Sequence, residues 1–177
     1  MPKIEMINRE SENPQVKAIF DDIEEAFGMV PNLFKTAAHF PPLLEANWNK
    51  VKAVMMGGVI SRKTKETIAV LVSNDNSCNY CVGAHTAMLK MLGLSDEDVS
   101  YIMSGDFSKA GIDEKDALLI TLAREANKNP STVPDNIFSE LKEKGVSSSE
   151  IVEALGVMET FTAFNKFLDT LEVALDF

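Results

Sequence analysis

The sequence predicts an all-α protein, a single helical domain of about eight helices over residues 1–177. Three observations lead there. Apolar residues recur at i, i+3, i+4 and i+7 in nearly every segment, the spacing of one helix face. Glycine, proline and short polar residues fall where such segments begin and end. Alternating strand patterns are scarce, and Val70-Leu71-Val72 is the only β-like run.

Taken in order, Val16, Ile19, Phe20, Ile23 and Phe27 form the first stripe, ended by Gly28. Pro31 opens a short apolar stretch from Leu33 to Phe40. Pro41-Pro42 starts a longer helix through Leu44, Trp48, Val51 and Met55, stopped by Gly57-Gly58. Ser61 or Thr64 caps the next, whose Ile68, Val70, Leu71 and Val72 make it apolar nearly all round and therefore buried. The polar run Ser73 to Ser77 reads as a turn before a helix carrying Cys78, Cys81, His85, Met88, Leu89 and Leu92, ended by Gly93. Ser95 and Asp98 cap a short helix to Met103, and Asp113 caps one to about Asn127. Pro134 opens another that ends near Gly145. Ser147 and Glu150 form a capping box for a last helix from Ile151 to about Leu175.

Composition excludes several classes. Seventeen basic against 27 acidic residues leave a net charge of −10, which disfavours nucleic acid because such binding needs Lys and Arg on phosphates. No segment approaches the run of about 20 apolar residues that spans a membrane. The start, Met1-Pro2-Lys3-Ile4-Glu5, has no basic-then-apolar leader, so a cytoplasmic protein is expected.

The two cysteines are more informative. Cys78 and Cys81 stand in a C-x-x-C pair, and a bridge between them closes too small a loop to serve as a staple. Zinc would need four ligands, and only His39 and His85 could complete the set, at spacings that match no usual zinc site, so zinc is disfavoured. Two inert core cysteines are the bland alternative. A redox dithiol is favoured because His85 lies four residues after Cys81 on one helix face, about 5 to 6 Å away at Cβ. If the chain folds back within Ser73–Ser77, Glu66 comes level with His85 and could orient its imidazole. A solvated Glu at a helix start explains it equally well. Cys78 falls near a helix N-terminus, where the dipole stabilises a thiolate. The imidazole favours Cys81 as the attacking sulfur, with Cys78 resolving and facing the reductant; the thioredoxin pattern favours the first cysteine.

The string Glu66, Asn76, Cys78, Tyr80-Cys81 and His85 resembles the alkylhydroperoxidase D-like branch of the carboxymuconolactone decarboxylase superfamily. The motif region is about 60–93, and Val30-Pro31-Asn32-Leu33-Phe34 is similar to that branch's peroxidase-related members. The resemblance implies a homo-oligomer, a trimer or hexamer, and a thiol peroxidase with no metal, haem or other cofactor, acting on organic hydroperoxides or hydrogen peroxide. It implies a Glu66–His85–Cys81 proton relay, a Cys78–Cys81 disulfide, and an external dithiol reductant, protein or lipoyl. Tyr80 departs from the histidine that well-known members carry before the second cysteine. A tyrosine is the weaker proton shuttle at neutral pH, which implies slower turnover or a different reductant. A disulfide oxidoreductase serving a protein or lipoyl partner is the rival enzyme, and a helical oligomerisation module the rival non-enzyme. His39 reads as a helix-end residue. Met55, Met56, Met88, Met91 and Met103 read as core filler or a substrate channel, and Trp48, Phe161, Phe164 and Phe167 as helix packing or a subunit interface.

Overall fold

The computed structural model describes residues 2–8 and 13–176; Met1, where the leader reading begins, lies outside them. Among the described residues there are nine α-helices and no strand, where about eight helices were expected. They are α1 (Pro14–Phe27), α2 (Asn32–Ala37), α3 (Pro41–Val51), α4 (Arg62–Asp75), α5 (Asn79–Met91), α6 (Asp96–Ser104), α7 (Glu114–Lys128), α8 (Asp135–Glu143) and α9 (Ser148–Leu171). A five-residue π-helical turn, Lys52–Met56, follows α3 and interrupts what the apolar spacing presents as one helix. A 3₁₀ turn, Pro130–Thr132, precedes α8.

Helix α4 is the axis of the fold. Every residue from Thr64 to Ser73 is buried, because α5, α7 and α9 pack around it. The run Val70-Leu71-Val72 is therefore helical; its apolar continuity reflects burial on all sides, not a strand. Each fully buried Ile or Leu here, such as Ile68 and Leu71, contributes about 1.5 to 3 kcal/mol from removal of apolar surface from water. Trp48 is buried within the chain, edge-on to Phe27 at 5.3 Å and Phe34 at 5.7 Å, and its indole N–H donates to Asp22. It packs helices. His39, just past α2, hydrogen-bonds through Nε2 to the Glu5 carbonyl at 2.7 Å, as a helix-end residue would.

The polar run before the cysteines is mostly helix, contrary to its reading as a turn. α4 continues through Asp75 and closes in a Schellman-type cap: the Cys78 N–H donates to Ser73 O at 2.9 Å and the Ser77 N–H to Asn74 O at 3.0 Å. Ser77 takes the left-handed conformation (φ 62°) that glycine usually supplies, and the chain reverses within two residues. The reason is that Ser73 is needed inside, where it accepts a hydrogen bond from Asn165. At the other end, α9 stops at Leu171 and not near Leu175. The next residues peel away because Asn32 captures them, its side-chain amide donating to the carbonyls of Ala174 (3.1 Å) and Leu175 (3.2 Å).

The predicted capping boxes at Ser95/Asp98 and Ser147/Glu150 are both formed. Glu150 is pushed down to about 2 by its bond to Lys115, then by the backbone N–H and hydroxyl of Ser147. A depressed carboxylate contributes stability above its unfolded value, here 4.5, and loses it as pH falls toward 2. A Glu150→Gln variant is expected to melt about 2 to 4 °C lower near neutral pH, where one helix cap is lost. The gap closes in melts run at progressively lower pH; a gap unchanged by acid contradicts the assignment.

Candidate active site

The short turn after α4 lays α5 antiparallel against it, and this register sets the site. Glu66, fully buried on α4, meets His85 on α5: Oε2 to Nδ1 is 2.5 Å. A carboxylate can only accept, so Nδ1 carries the proton and Nε2 is left as the basic nitrogen. The other carboxylate oxygen, Oε1, accepts from Arg62 Nε at 2.6 Å, and Arg62 also donates to the Met55 carbonyl. Burial pushes the Glu66 carboxyl up, but the charges and hydrogen bonds of His85 and Arg62 outweigh it and hold the group below the ordinary carboxylate range. The solvated-Glu alternative does not describe this side chain. Arg62 was missed as a site residue, though its i, i+4 spacing to Glu66 was visible.

His85 is further held by the Phe161 ring, edge-on with centroids 4.3 Å apart. It lines a cavity of about 420 Å³ whose walls include Cys81, Tyr80, Arg62, Glu66 and many apolar side chains. Met55, Met88, Met91, Phe161 and Phe164 are among the walls, and Met55, Phe161 and Phe164 are also buried in the core; Phe167 packs on the core outside the cavity, Met56 is exposed and Met103 packs elsewhere.

Both cysteines are buried and reduced. Cys78 is the N-cap of α5 and Cys81 lies in its first turn. Cys81 faces the cavity, whereas Cys78 is fully buried and does not line it. Cys78 is thus not reductant-facing in this state, as the C-x-x-C reading had it; the tight cap before it folds it into the core. The two thiols are coupled: the influence of each on the other draws the pair's first ionisation below the ordinary thiol range and, with burial, holds the second well above it. The first-turn backbone N–H of Cys81 favours charge on Cys78, while the Asp169 carboxylate, which sequence spacing did not single out, opposes it.

Tyr80 is not placed as a shuttle. Its hydroxyl donates to Asp176 and accepts from the Leu33 N–H at 3.3 Å, and Asp176 also accepts from the Asn32 N–H at 2.7 Å. Burial first, then the Asp176 carboxylate, raise the phenol far above its usual value. Tyr80 ties residue 176 over the cavity wall. A Tyr80→Phe variant is accordingly expected to keep the alkylation rate of Cys81 within about twofold, since no proton passes through it. Amide hydrogen exchange at residues 172–176 should rise instead. A large rate loss with unchanged exchange reverses this assignment. Among the described residues no three His, Cys, Asp or Glu side chains converge as a metal site requires. Among the described residues, no helix is long and apolar enough to cross a membrane.

Residues 41–105 match the carboxymuconolactone decarboxylase family. An alkylhydroperoxidase AhpD core from Rhodospirillum rubrum is 31% identical, with 78% of this chain and 98% of that one covered and a TM-score of 0.57. The chain belongs to the carboxymuconolactone decarboxylase family. Within it, the alkylhydroperoxidase D-like, peroxidase-related branch is the one it joins. An alkyl hydroperoxide reductase of Mycobacterium tuberculosis is 29% identical over 96 residues, which are 54% of this chain but only 28% of that protein. For the fold, a peroxidase-related protein from Ralstonia eutropha superposes with TM-score 0.86 at 22% identity (99% and 92% of the chains). The debrominase Bmp8, in complex with 2,3,4-tribromopyrrole, superposes with 0.82 at 19% identity (99% and 93%). The family member described here shares their all-helical architecture across nearly its whole length.

Proposed function

We propose that this protein is a thiol peroxidase that reduces organic hydroperoxides or hydrogen peroxide through a Cys78–Cys81 dithiol/disulfide cycle. One observation carries the reading: a carboxylate-held imidazole, Glu66–His85, and a thiol, Cys81, open into one apolar cavity, with a second thiol coupled to it behind. Cys81 loses its proton to His85 Nε2, directly or through one water, and the thiolate attacks the O–O bond. The product is a Cys81 sulfenic acid, and the leaving alkoxide takes the proton from His85 to give the alcohol. The Cys78 thiol then displaces water from the sulfenic sulfur, forming the disulfide. An external dithiol, protein or lipoyl, returns two electrons and two protons by exchange.

The rival is a disulfide oxidoreductase that meets peroxide only incidentally. An apolar cavity in front of Cys81 suits a small apolar substrate such as an organic hydroperoxide, while with Cys78 shut inside either reading needs a reductant that reaches the disulfide as a slender arm or after rearrangement. The test is stopped-flow reaction of the reduced protein with cumene hydroperoxide, a fatty-acid hydroperoxide and hydrogen peroxide, read as disulfide formation. Stoichiometric disulfide with rate rising across the apolar members supports the reading. A bromopyrrole belongs in the same panel because a debrominase shares the fold. No faster reaction with any hydroperoxide than a free thiol shows would remove the peroxidase reading. The same proposal includes a homo-oligomer, trimer or hexamer, which sedimentation equilibrium checks.

A further inference from the structure

The apolar wall of the cavity is rich in one residue type. Met29, Met55, Met88 and Met91 all line it, four of the chain's nine methionines. Leucine, the commoner residue in the chain, contributes only Leu33. An unbranched, polarisable thioether suits a wall that meets apolar ligands of varied shape. Its sulfur is also oxidisable, and the thiol cycle above leaves it unused.

Placement divides the four. Met55 is buried and belongs to the core as well as to the wall. Met91, the last residue of α5, is 79% exposed, and Met29, next to the left-handed Gly28 that ends α1, is 39% exposed. Core filler would be covered. These two wall the cavity and meet water at once, so they stand at its rim. Met91 lies ten residues beyond Cys81 on the same helix, about 15 Å along the axis. A change at the rim therefore leaves the Glu66–His85 and Glu66–Arg62 hydrogen bonds in place.

We propose that Met29 and Met91 form an oxidation-sensitive rim. An apolar hydroperoxide held in the cavity converts them to sulfoxides, and the polar sulfoxides weaken its hold on the next apolar substrate. This rests on the reading of the cavity as a hydroperoxide site, whichever thiol acts first. The thioether sulfur attacks the distal oxygen, and the S–O bond forms as the O–O bond breaks. The hydroperoxide's own proton passes to the leaving alkoxide and gives the alcohol. Sulfur loses two electrons and the hydroperoxide gains them. A thiolate reacts far faster, so one equivalent of hydroperoxide leaves the rim unmarked and only an excess reaches it.

The test follows sulfoxide formation by peptide mass spectrometry in full-length Cys81→Ser protein under excess oxidant. Met56, 50% exposed and outside the cavity, is the internal reference. Hydrogen peroxide reacts from bulk water and sets the rates of Met29 and Met91 relative to Met56. With cumene hydroperoxide both ratios should rise at least about tenfold, because the cavity concentrates the reactant beside them. Cumyl alcohol, unreactive and of the same shape, should abolish that rise and leave Met56 unaffected. After oxidation, the protein should bind cumyl alcohol about fivefold more weakly by NMR titration. A Met29→Leu/Met91→Leu protein treated identically should keep its affinity. Equal ratios with the two oxidants, a rise that the alcohol does not suppress, or an affinity indifferent to oxidation overturns the proposal. The native protein under the same excess supplies the ratios if the serine variant does not fold. Disulfide formation is read separately, so the thiol cycle and the rim can each fail alone.

Discussion

A Cys81→Ser protein is expected to lose hydroperoxide reduction by at least about 10⁴-fold, because removing a nucleophile removes the step and not merely an aid to it. Cys78→Ser should differ in kind. It should react once with hydroperoxide at close to the native rate and stop, trapped as a sulfenic acid, since nothing remains to condense with it. Mass spectrometry after one equivalent of hydroperoxide reads the difference: +16 Da and dimedone-reactive for Cys78→Ser, no change for Cys81→Ser. The asymmetry comes from placement, since Cys81 lines the cavity and Cys78 does not. If the two variants retain equal activity, or the adduct forms at Cys78, the order of the sulfurs is wrong.

The second large effect is at Glu66. Glu66→Gln keeps the shape of the side chain and removes the charge that fixes the His85 tautomer, so the rate constant for disulfide formation should fall about 10²- to 10³-fold. The sign of the pH effect follows from the depressed carboxyl. Its stabilising bonds to His85 and Arg62 are fully present above the unfolded value of 4.5 and are lost as pH falls through the lower folded value. The native protein should therefore lose melting temperature in acid more steeply than Glu66→Gln does, while near neutral pH the variant is the less stable. Breaking one partner of a buried charge pair costs roughly 3 to 5 kcal/mol, so the neutral-pH difference should be easily measured. Parallel acid curves for the two proteins would mean that Glu66 is not ionised in the fold.

Much of the architecture was legible because helices are specified locally. The caps at Ser95/Asp98, Asp113 and Ser147/Glu150, and the left-handed Gly28, Gly93 and Gly145, all act within a turn or two of where they stand. The errors fell where tertiary demand exceeded local preference. Ser73, Asn74 and Asp75 read as part of a turn but are helical, because α4 carries Ser73 into the interior to meet Asn165. Residues beyond Leu171 continue the apolar pattern but leave the helix, because Asn32, far away in sequence, accepts them.

The C-x-x-C pair with its following histidine came from the sequence by itself. Four-residue spacing on a helix is a local property, so Cys81 and His85 share a face whatever the rest of the chain does. The pairing of Glu66 with His85 could be anticipated but not decided, since it depends on the length of a turn that composition misjudged. The cavity wall, the burial of Cys78, the tethering of Tyr80 to Asp176 and the Asn165–Ser73 hydrogen bond were settled only by the tertiary structure. Each joins residues from about 45 to more than 140 positions apart or depends on which face of α4 and α5 is covered, and no periodicity in one helix reports the face of another. Two cysteines three residues apart are a local fact; which of them meets a substrate is a property of how α9 lies across them.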